Sequence, residues 1–106
     1  MRVKTNQIGY FLALCEEQSF TRAARRCGVA QPSLTRAIQE LESACGGRLF
    51  DRNRSNVSLT RLGVHLEQDF ARIDRALSDV ARKAAEFNAQ HSEKSNSKTK
   101  EITCAS

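Results

Sequence analysis

Within 31-QPSLTRAIQ-39 lie five side chains of the kinds that pair with nucleic acid: Gln31, Ser33, Thr35, Arg36 and Gln39. An arginine fork bonds guanine O6 and N7 together, a glutamine amide pairs with adenine, and hydroxyls bond base edges or phosphate. At 3.6 residues per turn, Ser33, Arg36 and Gln39 share the helix face opposite Leu34, Ile38 and Leu41, with Gln31 and Thr35 near its N-terminal end. The competing reading of such a face is a solvated polar surface, so the elements around it must decide.

Those elements are legible. Pro32, the only proline, suits the first turn of a helix, where its missing N–H costs nothing. Gly28 suits the left-handed residue that ends the preceding helix, so only Val29 and Ala30 separate the two. The preceding helix has Ser19 as its N-cap and Phe20, Ala23, Ala24 and Cys27 on its apolar side. A helix before that carries Ile8, Phe11, Leu12 and Cys15 at i, i+3, i+4, i+7, capped by Thr5 or Asn6 and ending near Gln18. Leu34, Ile38, Leu41 and Cys45 line the third helix, which Gly46 and Gly47 stop. Helix, tight glycine turn and helix make a helix-turn-helix unit, and the proline fixes where its second helix begins. After residue 47 the period changes: Leu49, Val57 and Leu59 flank the turn-prone Asn53-Arg54-Ser55-Asn56, which predicts a short hairpin wing with Arg52 and Arg54 at its tip.

Thr60 then opens a long helix. Leu66, Phe70, Ile73, Leu77, Val80, Ala84 and Phe87 step alternately by four and three, a heptad seam with charges of both signs elsewhere. A domain this small cannot bury so long a stripe, which predicts a dimer through a partner helix. The fold expected is mainly α: a winged helix-turn-helix of three helices and a β-hairpin wing (1–60), a coiled-coil linker helix (61–87), and a disordered polar tail (88–106).

Charge follows the same division. The net +5 of the 106 residues is concentrated in residues 1–60, which carry nine Lys/Arg against five Asp/Glu, while residues 61–87 are balanced. Such a bias suits a polyanionic partner. Arg52 and Arg54 are candidates for the phosphate backbone or minor groove. Ser19 and Thr21, at the positive end of the second helix, serve as caps, as phosphate contacts, or as both. Arg22, Arg25 and Arg26 are phosphate contacts or solvated charge, with at most one of them touching a duplex. Catalysis and metal binding find no support: no Ser/His/Asp or Cys/His set is suggested, and no Cys or His spacing fits a zinc site. Cys15, Cys27 and Cys45 fall on apolar helix positions and read as small buried hydrophobes, whereas Cys104 reads as an exposed free thiol. No apolar run reaches bilayer length and the N-terminus is not a signal peptide, so a bacterial cytoplasmic protein with no cofactor and no membrane partner is expected.

The stretch 10–63 closely resembles the N-terminal winged helix-turn-helix of LysR-type transcriptional regulators. The resemblance is carried by Ser19-Phe20-Thr21, Ala23-Ala24, Gln31-Pro32, Leu34-Thr35-Arg36, Leu41-Glu42, Leu49-Phe50, Arg52, Leu59-Thr60 and Gly63. It implies that Gln31, Pro32, Ser33, Thr35 and Arg36 lie in the major groove, that Thr21 and Arg52/Arg54 contact backbone or minor groove, and that the helix from Thr60 is the linker through which two such domains dimerise. Ala30 departs from a common serine, and Cys27 and Cys45 from leucine. Members of that family continue into an effector-sensing domain, whereas this sequence runs into the polar KSNSKTKEITCAS. A naturally short or truncated reading frame, with no small-molecule effector, is the expectation. The function expected is sequence-specific binding of an interrupted palindrome in double-stranded DNA by a homodimer. The alternative is an interaction protein that heterodimerises with full-length relatives through the linker helix.

Overall fold

The computed structural model describes the backbone of residues 1–52 and 56–105, with side chains as far as His91. The elements are α1 (Thr5–Glu17), α2 (Phe20–Cys27), α3 (Gln31–Cys45), β1 (Phe50–Arg52), β2 (Val57–Leu59) and α4 (Arg61–Ala105). This is the mainly helical winged helix-turn-helix with a long final helix that the periodicity predicts. Residues Met1–Asp74 form one compact unit and Arg75–Ser106 another.

Helix ends explain why the first unit folds as it does. α1 begins one residue earlier than expected: Lys4, rather than Thr5 or Asn6, is the N-cap, and its N–H donates to Gln7 Oε1 at 3.0 Å. α1 ends on Gln18 in the left-handed region at φ 56°. Ser19 caps α2 as read, its Oγ accepting from the N–H of Arg22 at 3.2 Å. Gly28, at φ 71°, closes α2, and the N–H of Val29 returns to the carbonyl of Ala24 at 3.0 Å. Ala30 heads α3 with no side-chain cap bond.

Phe11, Leu14, Leu34, Ile38, Leu41, Leu49 and Phe50 are the largest fully buried side chains of the core. Ala23 and Ala24 are buried too, and their small size lets α2 approach the flanking helices closely. The wing is a two-stranded antiparallel sheet pairing Phe50 with Leu59, Asp51 with Ser58 and Arg52 with Val57. Thr60 joins the wing to α4: its hydroxyl donates to the carbonyl of Arg48 (2.6 Å) and accepts from the N–H of Gly63 (3.0 Å).

Three expectations change. Phe70 was read as a dimer-seam residue, but it is 6% exposed and packs edge-on against Phe11 at 5.0 Å between ring centroids. Leu66 also packs against this core, so the first two positions of the heptad serve the chain itself. Cys15, Cys27 and Cys45 sit at the margin of the core rather than inside it. Burial still pushes the Cys15 thiol up to about 12, with the nearby Glu67 and Glu16 adding to the effect, and it raises Cys27 and Cys45 as well. All three are therefore poor nucleophiles. Lastly, helix is assigned through to Ala105, where the composition predicted disorder from residue 88; no glycine or proline follows Gly63 to end it. The Cys104 side chain and Arg54 lie outside the described residues.

In the second unit, Leu77, Val80 and Phe87 are exposed at 40%, 64% and 55%. Arg82 pairs with Asp79 and Glu86 along the helix, and the Phe87 ring stacks on His91 at 4.2 Å.

Candidate nucleic-acid interface

The first helical residue of α3 is Gln31 and the second is Pro32, so the candidate side chains begin at a defined point after the tight turn. Leu34, Ala37, Ile38 and Leu41 turn into the core, leaving Gln31, Pro32, Ser33, Arg36 and Gln39 exposed and Thr35 half-buried. The amphipathic period thus divides α3 into a buried stripe that fixes the helix and an outer face that is free. Two shallow grooves flank Arg36. One, of about 430 Å³, is lined by Gln31, Pro32, Thr35, Arg36 and Gln39. The other, of about 360 Å³, is lined by Asn6, Tyr10, Pro32, Ser33, Arg36, Ala37 and Glu40. Tyr10 was not singled out by the sequence, and Asn6 only as a helix cap, because only the packing of α1 beside α3 brings them there.

Around this face the remaining candidates divide by what already holds them. Thr21, exposed in the first turn of α2, donates its hydroxyl to Gln31 Oε1 at 3.1 Å. Ser19 uses its oxygen to cap α2, and its own hydroxyl hydrogen stays available to an acceptor. Arg22 and Arg26 are drawn back onto α1: Arg22 pairs with Glu17 and donates to its carbonyl, and Arg26 pairs with both Glu16 and Glu17. Arg25 has no acidic partner among the described residues. It is the one α2 arginine that Glu16 and Glu17 leave without an ion pair.

The wing is held to the helices from two sides. Glu42, on α3, accepts from the N–H of Leu49 at 2.8 Å and of Phe50 at 3.3 Å through one carboxylate oxygen. Arg52, at the end of β1, lies with its guanidinium 4.6 Å from the Phe20 ring centroid. That cation–π contact is an ordering interaction of about 0.5–1 kcal/mol at an exposed site. Neither tie is visible in the local sequence pattern. Among the described residues no group of three or more His, Cys, Asp or Glu is arranged to hold a metal ion, and no helix is long and apolar enough to cross a membrane.

A family model described as "Bacterial regulatory helix-turn-helix protein, lysR family" matches residues 5–64. The HTH-type transcriptional regulator IlvR of Caulobacter vibrioides is 43% identical over 81 residues, covering 73% of this chain and 27% of that regulator. The chain spans about a quarter to a half of the length of the curated relatives it matches. Among solved structures, the BenM DBD/catB site 1 DNA complex is similar with a TM-score of 0.70 and 34% identity, covering 82% of this chain and 93% of that one. The CbnR DBD–DNA complex is similar with a TM-score of 0.70 and 32% identity, covering 83% of this chain and 98% of that one.

Proposed function

The chain belongs to the LysR family of bacterial regulatory helix-turn-helix proteins, and from that premise we propose that it binds double-stranded DNA as a dimeric, sequence-specific transcriptional regulator. The observation that carries this reading is the free outer face of α3. Gln31, Ser33, Arg36 and Gln39 are all exposed on a helix whose other face is locked into the core. A helix so presented fits the major groove, with its N-terminal residues nearest the base edges. Arg36, between the two grooves, is the side chain suited to a bidentate guanine contact. Ser19 and Arg25 on α2 and Arg52 on β1 suit phosphate. The two similar structures named above are complexes with DNA, which supports the same mode for this chain.

Binding-site selection from random duplex DNA at near-physiological salt tests the reading. The expected product is a two-fold interrupted motif, and Arg36→Ala is expected to weaken binding to it by ~1–3 kcal/mol and to relax the preference at one base pair per half-site. Unchanged affinity and unchanged preference would remove Arg36 from the reading face. Failure of the native chain to enrich any motif would remove the function itself.

Dimerisation is supported by apolar side chains left exposed among the described residues: Ile73 is 43% exposed, and Leu77, Val80 and Phe87 continue its period, Phe87 with one ring face stacked on His91. The seam proposed is therefore Ile73, Leu77, Val80, Ala84 and Phe87, with Leu66 and Phe70 given to the core. Val80→Asp withdraws the ~1.5–3 kcal/mol that burying a valine contributes and inserts a charge into the seam. Sedimentation equilibrium is expected to find this variant monomeric, with affinity for the two-fold site reduced and a single half-site still bound weakly. A dimer of unchanged stability would exclude this seam. The same exposed residues suit the linker helix of a full-length relative, and mixing the two chains distinguishes heterodimers from homodimers.

A further inference from the structure

A buried glutamine on α1 occupies the acid on α3 that is spaced to pair with Arg36. Glu40 follows Arg36 by four residues, and the two side chains line one groove. At that spacing an arginine and a glutamate attract each other across the helix surface. Arg36 nevertheless has no ion pair or side-chain hydrogen bond among the described residues. Glu40 Oε1 instead accepts from Gln7 Nε2 at 3.2 Å. Gln7 is 2% exposed, the one polar side chain buried among the described residues. We propose that Gln7 is a positioning residue for DNA recognition: by holding the Glu40 carboxylate toward α1, it keeps the Arg36 guanidinium unpaired and open to a base edge.

The start of α1 sets the direction of the Gln7 amide. Its Oε1 accepts from the N–H of Lys4, the N-cap, at 3.0 Å. With the oxygen so engaged, the nitrogen is the end that meets α3 and donates to Glu40. A buried N–H without an acceptor is costly. An exposed pair at this spacing is weak, and arginine before glutamate is the poorer of the two orders. The bond to Gln7 therefore prevails over the pair with Arg36. Arg22 and Arg26 show the opposite result. No buried donor holds Glu16 or Glu17, and both arginines are drawn onto those acids.

The inference rests on the DNA-binding reading above, and the variants are chosen so that the two fail differently. Affinity for the selected two-fold site is measured with the native chain, Gln7→Met, Glu40→Asp and Glu40→Gln, each well below its melting temperature. Gln7→Met is then combined with Glu40→Gln and, separately, with Arg36→Ala. Gln7→Met removes the donor. Glu40→Asp, at an exposed position that the fold does not depend on, keeps the charge but draws it back from Gln7. In both, the released carboxylate is expected to pair with Arg36 and lower affinity by about twofold per half-site, or about fourfold for the whole site. The difference should shrink as salt rises. Gln7→Met combined with Glu40→Gln is expected to bind as Glu40→Gln alone does, and Gln7→Met should change nothing once Arg36 is alanine. Native affinity in Gln7→Met or in Glu40→Asp would overturn the proposal. So would a loss in Gln7→Met that persists beside Glu40→Gln or Arg36→Ala, because Gln7 would then act through the fold and not through the acid. None of these outcomes touches the native chain's own selection of a motif. If the native chain enriches none, the DNA-binding reading falls, and this inference with it.

Discussion

Replacing Phe11 with alanine is expected to cost the domain about 3–5 kcal/mol, the range for deleting a buried aromatic ring. Phe11 has no exposed surface, and its ring meets Phe50 at 5.2 Å and Phe70 at 5.0 Å between centroids, both at steep interplanar angles. Tilted and edge-on pairs of this kind contribute about 0.5–1.5 kcal/mol each beyond the area they bury. The three rings come from α1, β1 and α4, so a single truncation loosens a helix, the wing and the linker start together. Because small domains are stable by only about 5–15 kcal/mol, much of the total would go. Urea unfolding should show a lower midpoint with an unchanged slope. A loss below about 1 kcal/mol would mean that the neighbouring rings collapse into the space and that Phe11 is not the hub.

Gly63→Ala is expected to be nearly as damaging, although alanine ordinarily improves a helix by about 1 kcal/mol over glycine. A Cβ at position 63 would stand 2.3 Å from the carbonyl oxygen of Leu49 and 2.8 Å from Leu59 Cδ2. The Leu49 oxygen cannot easily yield, since it also accepts from the N–H of Thr60 at 2.9 Å. Moving it would open the junction between wing and α4. Overpacking usually costs 1–3 kcal/mol, and about 3 kcal/mol is expected here because the obstacle is backbone. Gly9→Ala is the control: this glycine lies inside α1 with nothing within 4 Å of an added Cβ. That variant should gain up to about 1 kcal/mol. Equal melting temperatures for the two variants would refute the close approach at Gly63.

Much of the frame was legible because local pattern and local chemistry agree. Gly28 takes the left-handed geometry its position suggested, Gly46 stops α3 as read, Ser19 and Thr60 cap the helices they precede, and the change of period after residue 47 marks the wing. The linker stripe was harder to divide, since a 4-3 spacing suits a dimer seam and a core-facing helix equally. Leu66 and Phe70 satisfy both, and only the position of Phe11 reveals which use prevails. The side chains of the candidate interface were found by type, but their constraints were not. Thr21 with Gln31, Phe20 with Arg52, and Glu42 with the start of β1 are contacts between elements. No window along the chain contains both partners in a recognisable spacing.

The Glu42 tie bears on the grammar of any operator this protein reads. Because the carboxylate of Glu42 grips Leu49 and Phe50 from within α3, the wing strand keeps a constant offset from the helix beside it. In the DNA-binding mode proposed above, that offset would translate into a constant number of base pairs between the bases facing α3 and the flank facing Arg52. One inserted pair would carry the flank about 3.4 Å along the axis and rotate it around the duplex, where a tethered wing cannot follow. A half-site read in that mode is expected to behave as a single word without internal spacing, with variable gaps tolerated only between the two half-sites of the proposed dimer.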